Sequence, residues 1–238
     1  MPNNRKIIIS DYDGTFFKSK DGIKANVKKV DEFRKKDNLF IIATGNNYVD
    51  FQKVISEYSI KYDYLILDQG ACIFDNKNNL LKVCFLEHII CKNIISEILK
   101  IQKEYKKYTP YGKTSGEENI TKISVNFTDL QEAIDFTEKI NTKFKNNVNA
   151  YTMIFKEINI VEIVSSTSNK NEAIKYIVRK EKAKQENIYT VGDGYNDIIM
   201  IQNFNGYCMT NSVDKLLKEC PKHIETVADL IDKVMQDK

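Results

Sequence analysis

The fold turns on the stretch Lys6-Ile7-Ile8-Ile9-Ser10-Asp11-Tyr12-Asp13-Gly14-Thr15. Residues 6–10 are a brief apolar run that ends at a turn, the pattern of a short buried strand. Asp11 and Asp13 stand two positions apart at its end, so on extended chain their side chains fall on the same side. A carboxylate pair of this kind repels itself unless a cation or a proton lies between. Hard oxygen donors suit Mg2+. Gly14 permits a tight turn, and Thr15 can tie it down. The same letters can also make an ordinary Asp-Gly turn, so the surrounding chain has to decide.

Outward from this strand the pattern repeats. Val27, Val30 and Phe33 recur at helical spacing in a charged background, and Leu39–Ala43 is a second buried strand ending at Thr44-Gly45. A helix is predicted to about Tyr58, then a third strand at Tyr64–Leu67. Alternating strands and helices predict a parallel sheet covered on both faces. In such sheets the ligand sits beyond the carboxyl ends of the strands. The texture changes near Asp75-Asn76-Lys77-Asn78-Asn79, which reads as a turn between short strands. An amphipathic helix over Glu87–Tyr105, a strand at Ile123–Phe127, a helix from Asp129 to about Phe144 and a strand at Tyr151–Phe155 follow. Residues 76–157 therefore read as a separate α+β cap inserted into an α/β core made of residues 1–75 and 158–238. The core alternation resumes with strand Ile160–Val164, helix Asn169–Glu181, strand Ile188–Val191 and helix Tyr195–Gln202.

Three more motifs fall at the expected strand and helix ends. Thr44-Gly45-Asn46-Asn47 follows the second strand, and a hydroxyl with backbone N–H groups at a helix start can hold a phosphate. It can equally be a plain loop and helix cap. Lys170, in Ser168-Asn169-Lys170-Asn171, sits at a predicted helix start, where the dipole disfavours a cation. A bound anion would resolve that conflict; a random surface lysine is the alternative in a chain with 33 Lys. Gly192-Asp193-Gly194-Tyr195-Asn196-Asp197 is a glycine-framed turn with Asp193 and Asp197 one helical turn apart. It offers a third carboxylate to a metal and a fourth behind it. A capped helix start is the competing reading.

Bulk properties exclude several classes. With 238 residues, the chain makes one large or two modest domains at roughly 100–200 residues each. The formal charge of +3 is spread without a basic stripe, so no nucleic-acid partner is expected. No apolar run approaches a membrane span, and no signal-peptide pattern stands at residues 1–6, so no membrane partner is expected. Five cysteines with no Cys-x-x-Cys pair argue against a disulfide framework or a zinc site, and reduced thiols in a cytoplasmic protein are the simplest reading. The two histidines, His88 and His223, give no Ser-His-Asp or Cys-His scheme.

Taken in order, the four motifs resemble the haloacid dehalogenase-like hydrolase superfamily. The cap between the second and third motifs is similar to the Cof-type subclass, IIB. Asp68-Gln69-Gly70-Ala71 and Gly206-Tyr207-Cys208-Met209-Thr210-Asn211-Ser212 add to that likeness. The resemblance implies a Rossmann-like core and Mg2+-dependent hydrolysis of a small phosphorylated metabolite. It makes Asp11 the nucleophile and a metal ligand. Asp13 becomes the acid–base group and a metal ligand through its backbone carbonyl. Thr44, Gly45, Lys170 and Asn196 bind phosphate, Asp193 binds metal directly, and Asp197 supports the metal shell. Departures are Asn46 and Asn47 where many relatives have Arg, Gln69 where Asn is usual, and Asn171 where Gly is common. A sugar phosphomutase would need a second phosphate site, usually cationic, yet the predicted cap contains no Arg. A phospho-Asp receiver domain is the non-enzymatic alternative. The fourth motif and the cap weigh against it. Tyr108–Glu118 is the expected recognition loop of the cap, from its Pro, Gly and polar content.

Overall fold

Along the first two strands, alternate side chains go to opposite faces of one sheet. In β1 (Ile7–Ser10), Ile8 joins one apolar cluster while Ile7 and Ile9 join another. In β2 (Leu39–Ala43), Phe40 and Ile42 face the first cluster, and Leu39, Ile41 and Ala43 the second. A strand buried on both sides needs no polar alternation, which is why these stretches read as continuous apolar runs. The computed structural model describes residues 4–236; the first three residues of the amino-terminal reading lie outside that range.

The core sheet continues through β3 (Tyr64–Leu67), β4 (Cys72–Asp75) and β5 (Leu80–Val83) on one side. The later strands of the chain, β11 (Ile188–Gly192), β12 (Asn205–Met209) and β13 (His223–Ile224), complete it on the other. The order is β13-β12-β11-β1-β2-β3-β4-β5, parallel except for β4 and β5. Helices α1 (Lys20–Arg34), α2 (Tyr48–Tyr58) and α8 (Val227–Gln236) cover one face through residues such as Phe33, Phe51 and Leu230. Helices α5 (Lys170–Glu181), α6 (Ile198–Asn203) and α7 (Asp214–Glu219) cover the other through Ile174, Met200 and Leu216. Each such buried side chain contributes about 1.5–3 kcal/mol. This is the α/β core with parallel strands that the sequence predicts.

The inserted cap is a five-stranded antiparallel sheet under two helices. Its strands are β6 (Tyr105–Thr109), β7 (Gly112–Thr114), β8 (Lys122–Phe127), β9 (Val148–Ile154) and β10 (Asn159–Ser165), in the order β7-β6-β8-β10-β9. Helices α3 (His88–Lys100) and α4 (Leu130–Lys143) pack on one face, against Ile123, Val125, Val161 and Ile163. Sheet membership differs from the sequence reading at both ends. Leu80–Val83, assigned to the cap, pairs with β4 and extends the core sheet. Ile160–Val164, assigned to the core, lies in β10 and pairs antiparallel with β8 and β9. Its apolar run imitates a buried parallel strand, but only Val161 and Ile163 face the cap helices, while Glu162 projects from the opposite face.

The turn after β3 connects the core sheet to the start of α5. Asp68, Gln69 and Gly70 all have positive φ, of 49°, 57° and 101°. A Cβ on Gly70 would also collide with the backbone of Asn169, next to Lys170. Gly70→Ala therefore costs about 1–3 kcal/mol, the usual size of backbone strain of this kind, before any clash is relieved. Urea denaturation followed by circular dichroism measures it. An unchanged midpoint would mean that the turn relaxes freely.

Candidate active site

The carboxyl ends of β1, β2, β3 and β11 point to one place, and each delivers a polar group there. Asp11 follows β1, and its backbone N–H bonds the Val191 carbonyl of the neighbouring β11 at 2.9 Å. The two central strands thus carry Asp11 and Asp193 side by side. Carboxylate oxygens of Asp11, Asp193 and Asp197 all lie within 4.8 Å of one another. Gly14, with φ +81°, lets the first loop pass over the fourth, because a Cβ there would enter the Asp193 carboxylate. Thr15 ties the loops together, its hydroxyl donating to Asp193 Oδ1 at 2.5 Å.

Three like charges this close need an opposite charge. Lys170 supplies one from the first residue of α5, a helix capped by Asn169, whose side chain accepts from the Glu172 N–H. Its ammonium donates to Asp11 Oδ1 at 2.5 Å and to Asp197 Oδ1 at 2.7 Å. It is 1% exposed, so it is not a surface lysine. Burial works against the charged amine, but Asp11 and Asp197 outweigh it and hold its pKa above the usual lysine value. Asp197 is fully engaged: its Oδ2 accepts the backbone N–H groups of Asp193 and Gly194 at 3.1 and 3.0 Å.

The remaining carboxylates are strained towards protonation. Burial raises the Asp11 pKa well above the usual range, against the pull of Lys170, and Asp197 and Asp193 add to the rise. Burial also pushes Asp193 up to about 6, opposed by the Thr15 hydrogen bond. The Asp13 carboxylate stands apart, with Oδ2 accepting from Asn46 Nδ2 at 2.8 Å. Loss of water raises its pKa too, and the Asn46 bond only partly opposes this. A cluster of hard oxygens that cannot all hold charge fits a divalent cation better than it fits an empty pocket.

Around these carboxylates stand the groups expected to hold phosphate. Thr44, 1% exposed, accepts the Asn46 backbone N–H at Oγ1 (3.1 Å). Asn47 caps α2 by accepting the Asp50 N–H, so the helix-cap reading of this motif also holds. Asn196 lies in a short turn before α6 and donates to Gln69 Oε1 at 2.9 Å. The structure thus gathers Asp11, Asp193, Asp197 and Lys170 into one contact network, links Asp13 and Thr44 through Asn46, and links Asn196 to the turn after β3.

Two residues near the site lie outside the sequence motifs. Lys122 of β8 and Glu162 of β10 reach down from the cap, pair with each other at 2.8 Å, and meet core groups around Gln69. The signal was present, since each is a charge placed beside strictly apolar strand positions. The expected recognition loop touches the core at its tip. Tyr111, in the turn between β6 and β7, packs edge-on against Tyr48 and Phe74, each 6.0 Å between ring centres.

The comparisons with known proteins point the same way. The family model described as sucrose-6F-phosphate phosphohydrolase matches residues 4–232. A candidate HAD/COF-like hydrolase from Plasmodium vivax superposes with a TM-score of 0.85 at 19% identity, covering 99% of this chain and 97% of that one. A haloacid dehalogenase-like hydrolase from B. subtilis gives 0.82 at 15% identity, covering 97% and 99%. A candidate phosphatase from Buchnera aphidicola subsp. Baizongia pistaciae is 22% identical over 93% of this chain and 92% of its own length. The chain belongs to the sucrose-6F-phosphate phosphohydrolase family of haloacid dehalogenase-like hydrolases, and is a phosphatase.

Proposed function

We propose that this phosphatase hydrolyses a small phosphomonoester, a sugar phosphate or a similar metabolite, through a phosphoryl group carried on Asp11. The observation that carries this reading is the buried Asp11 carboxylate, flanked by Asp193 and held by Lys170 at 2.5 Å. Mg2+ would be held by the carboxylates of Asp11 and Asp193 and the backbone carbonyl of Asp13, with Asp197 behind them. When bound, it neutralises phosphate charge and aligns the ester.

In the first step an Asp11 oxygen attacks phosphorus, and the bond to the leaving oxygen breaks. Asp13 gives that oxygen its proton, a role helped by a raised pKa. In the second step Asp13 takes a proton from water, whose oxygen attacks phosphorus and frees Asp11. Two easier displacements replace one difficult one. Lys170 and Thr44 hold the phosphoryl oxygens, with Gly45 and Asn196 completing the cradle. Such positioning and charge compensation supply most of the catalysis in phosphoryl transfer. The family description supports a sugar phosphate. The commitments of Lys122 to Glu162 and Asp68 favour hydrolysis over mutase chemistry, because that cation is not held ready for a second phosphate. No helix among the described residues is long and apolar enough to cross a membrane.

Turnover of p-nitrophenyl phosphate in Mg2+, lost in EDTA and restored by added Mg2+, is the expected result. Undiminished turnover in metal-free buffer contradicts the reading. Asp13→Asn should lower kcat by about 10²–10⁴-fold, the usual worth of general acid–base catalysis. A mutant that keeps more than about a tenth of the rate removes Asp13 from that role.

The raised Asp193 pKa gives a pH dependence with a defined sign. A ligating carboxylate must be ionised, so the half-saturating Mg2+ concentration should rise as pH falls through about 6. Without metal, the folded protein holds this proton more tightly than the unfolded chain, whose Asp titrates near 3.8. Stability is therefore lost as pH rises from about 4 to about 6. Asp193→Asn should raise the Tm of metal-free protein at pH 7.5 and leave it nearly unchanged at pH 4. Calorimetric Mg2+ titration and thermal melts measure both effects. A Mg2+ affinity equal at pH 5 and pH 7.5 contradicts the first.

A further inference from the structure

Lys122 is the first residue of β8, and its side chain leaves the sheet on the face opposite Ile123 and Val125. Its ammonium is buried between Glu162 Oε1 at 2.8 Å, Asp68 Oδ1 at 3.2 Å and the backbone carbonyl of Gly45, with the Tyr108 ring centre at 4.8 Å. The second oxygen of Glu162 accepts from Gln69 Nε2 at 2.8 Å, and Gln69 Oε1 accepts from Asn196 Nδ2 at 2.9 Å. These contacts form one line: Gly45, Lys122, Glu162, Gln69, Asn196. Both ends of the line belong to the proposed phosphate cradle, and its middle belongs to the cap.

We propose that Lys122 and Glu162 are positioning residues that brace the phosphate cradle from the cap. The proposal rests on the phosphatase reading above. The carbonyl that Lys122 holds belongs to the Gly45–Asn46 peptide, whose plane is rigid. Fixing it fixes the Asn46 N–H, which bonds Thr44 Oγ1 at 3.1 Å and so sets the direction of that hydroxyl. At the other end, Glu162 orients the Gln69 amide, and Gln69 in turn orients Asn196. The fit is close: a Cβ on Gly45 would run into both Gln69 and Glu162. Donors fixed before the ester arrives need no reorganisation during reaction.

The two charges travel together, because Ser124 and Glu162 are paired across neighbouring strands and Lys122 lies two positions away on the same face. A cap that swings away takes both from the core and leaves the cradle unbraced. Cap closure is thereby coupled to phosphate binding rather than only to recognition of the leaving group. Even an ester whose leaving group never touches the cap must then depend on these two cap residues.

The test uses the full-length protein with p-nitrophenyl phosphate as substrate and inorganic phosphate as inhibitor. Lys122→Met alone leaves the buried carboxylates of Asp68 and Glu162 without their cation and threatens folding. The variant K122M/D68N/E162Q removes the cation together with both charges. It should lower kcat/KM about 10- to 100-fold, as small misplacements of positioning groups do. The inhibition constant of phosphate should weaken by about tenfold in parallel, with the Mg2+ requirement unchanged, as Asp11 and Asp193 do not touch the brace. If the triple variant does not fold, E162Q carries the test, with a loss of about 3- to 10-fold in the same two quantities, the worth of one hydrogen bond. Wild-type kinetics in the variant overturn the brace and leave the phosphatase reading standing. A parallel loss of phosphate and Mg2+ binding also overturns it, as general damage to the site. A wild-type protein that turns over no ester overturns the phosphatase reading and the brace together.

Discussion

The mutual repulsion of carboxylates at the ends of β1 and β11 constrains everything around them. Asp11, Asp193 and Asp197 are brought within one cluster by the parallel pairing of two central strands, with Asp11 and Asp197 buried and Asp193 half-buried. The fold tolerates this because Lys170 is buried against two of them and because backbone N–H groups hold Asp197. Burial raises the pKa values of Asp11 and Asp193, the neighbouring carboxylates add to the rise, and one lysine does not cancel it. A site that favours added positive charge and offers carboxylate oxygens could hold a divalent cation, as the Mg2+ reading proposed above requires.

The cap solves a different problem. Its sheet presents apolar residues to α3 and α4 on one face, which gives the cap its own cluster of buried Ile, Val and Phe side chains. The opposite face is left to make polar contact with the core. Glu162 and Lys122 occupy that face, while Tyr111 and Gly112 of the β6–β7 hairpin rest on α2 and Phe74. The cap therefore meets the core at an aromatic contact and at a buried ionic one. The ionic one leads to Gly45 and Gln69.

The core was legible in the sequence because each of its chemical groups follows a strand end, where a short apolar run stops at a polar motif. Asp11 and Asp193 stand in specific motifs at such strand ends, whereas the Thr44 motif gained weight only beside them. Lys170 could not, since a lysine at a helix start among 33 lysines carries no weight until burial against Asp11 is seen. The cap boundary failed for a physical reason. Ile160-Val161-Glu162-Ile163-Val164 is apolar enough to pass for a central parallel strand, and only the pairing of β10 with β8 and β9 shows that one face is polar. Lys122 and Glu162 were missed because their roles arise from cross-strand neighbours rather than from spacing along the chain.

The central claim is that Asp11 carries the phosphoryl group, and chemical trapping tests it most directly. Protein mixed with substrate and Mg2+, quenched in acid and reduced with borohydride, should yield a peptide in which Asp11 has become homoserine, since borohydride reduces an acyl phosphate but not a free carboxylate. Asp11→Asn protein should yield none. Homoserine at another aspartate, or full turnover by the Asp11→Asn protein, would contradict the account.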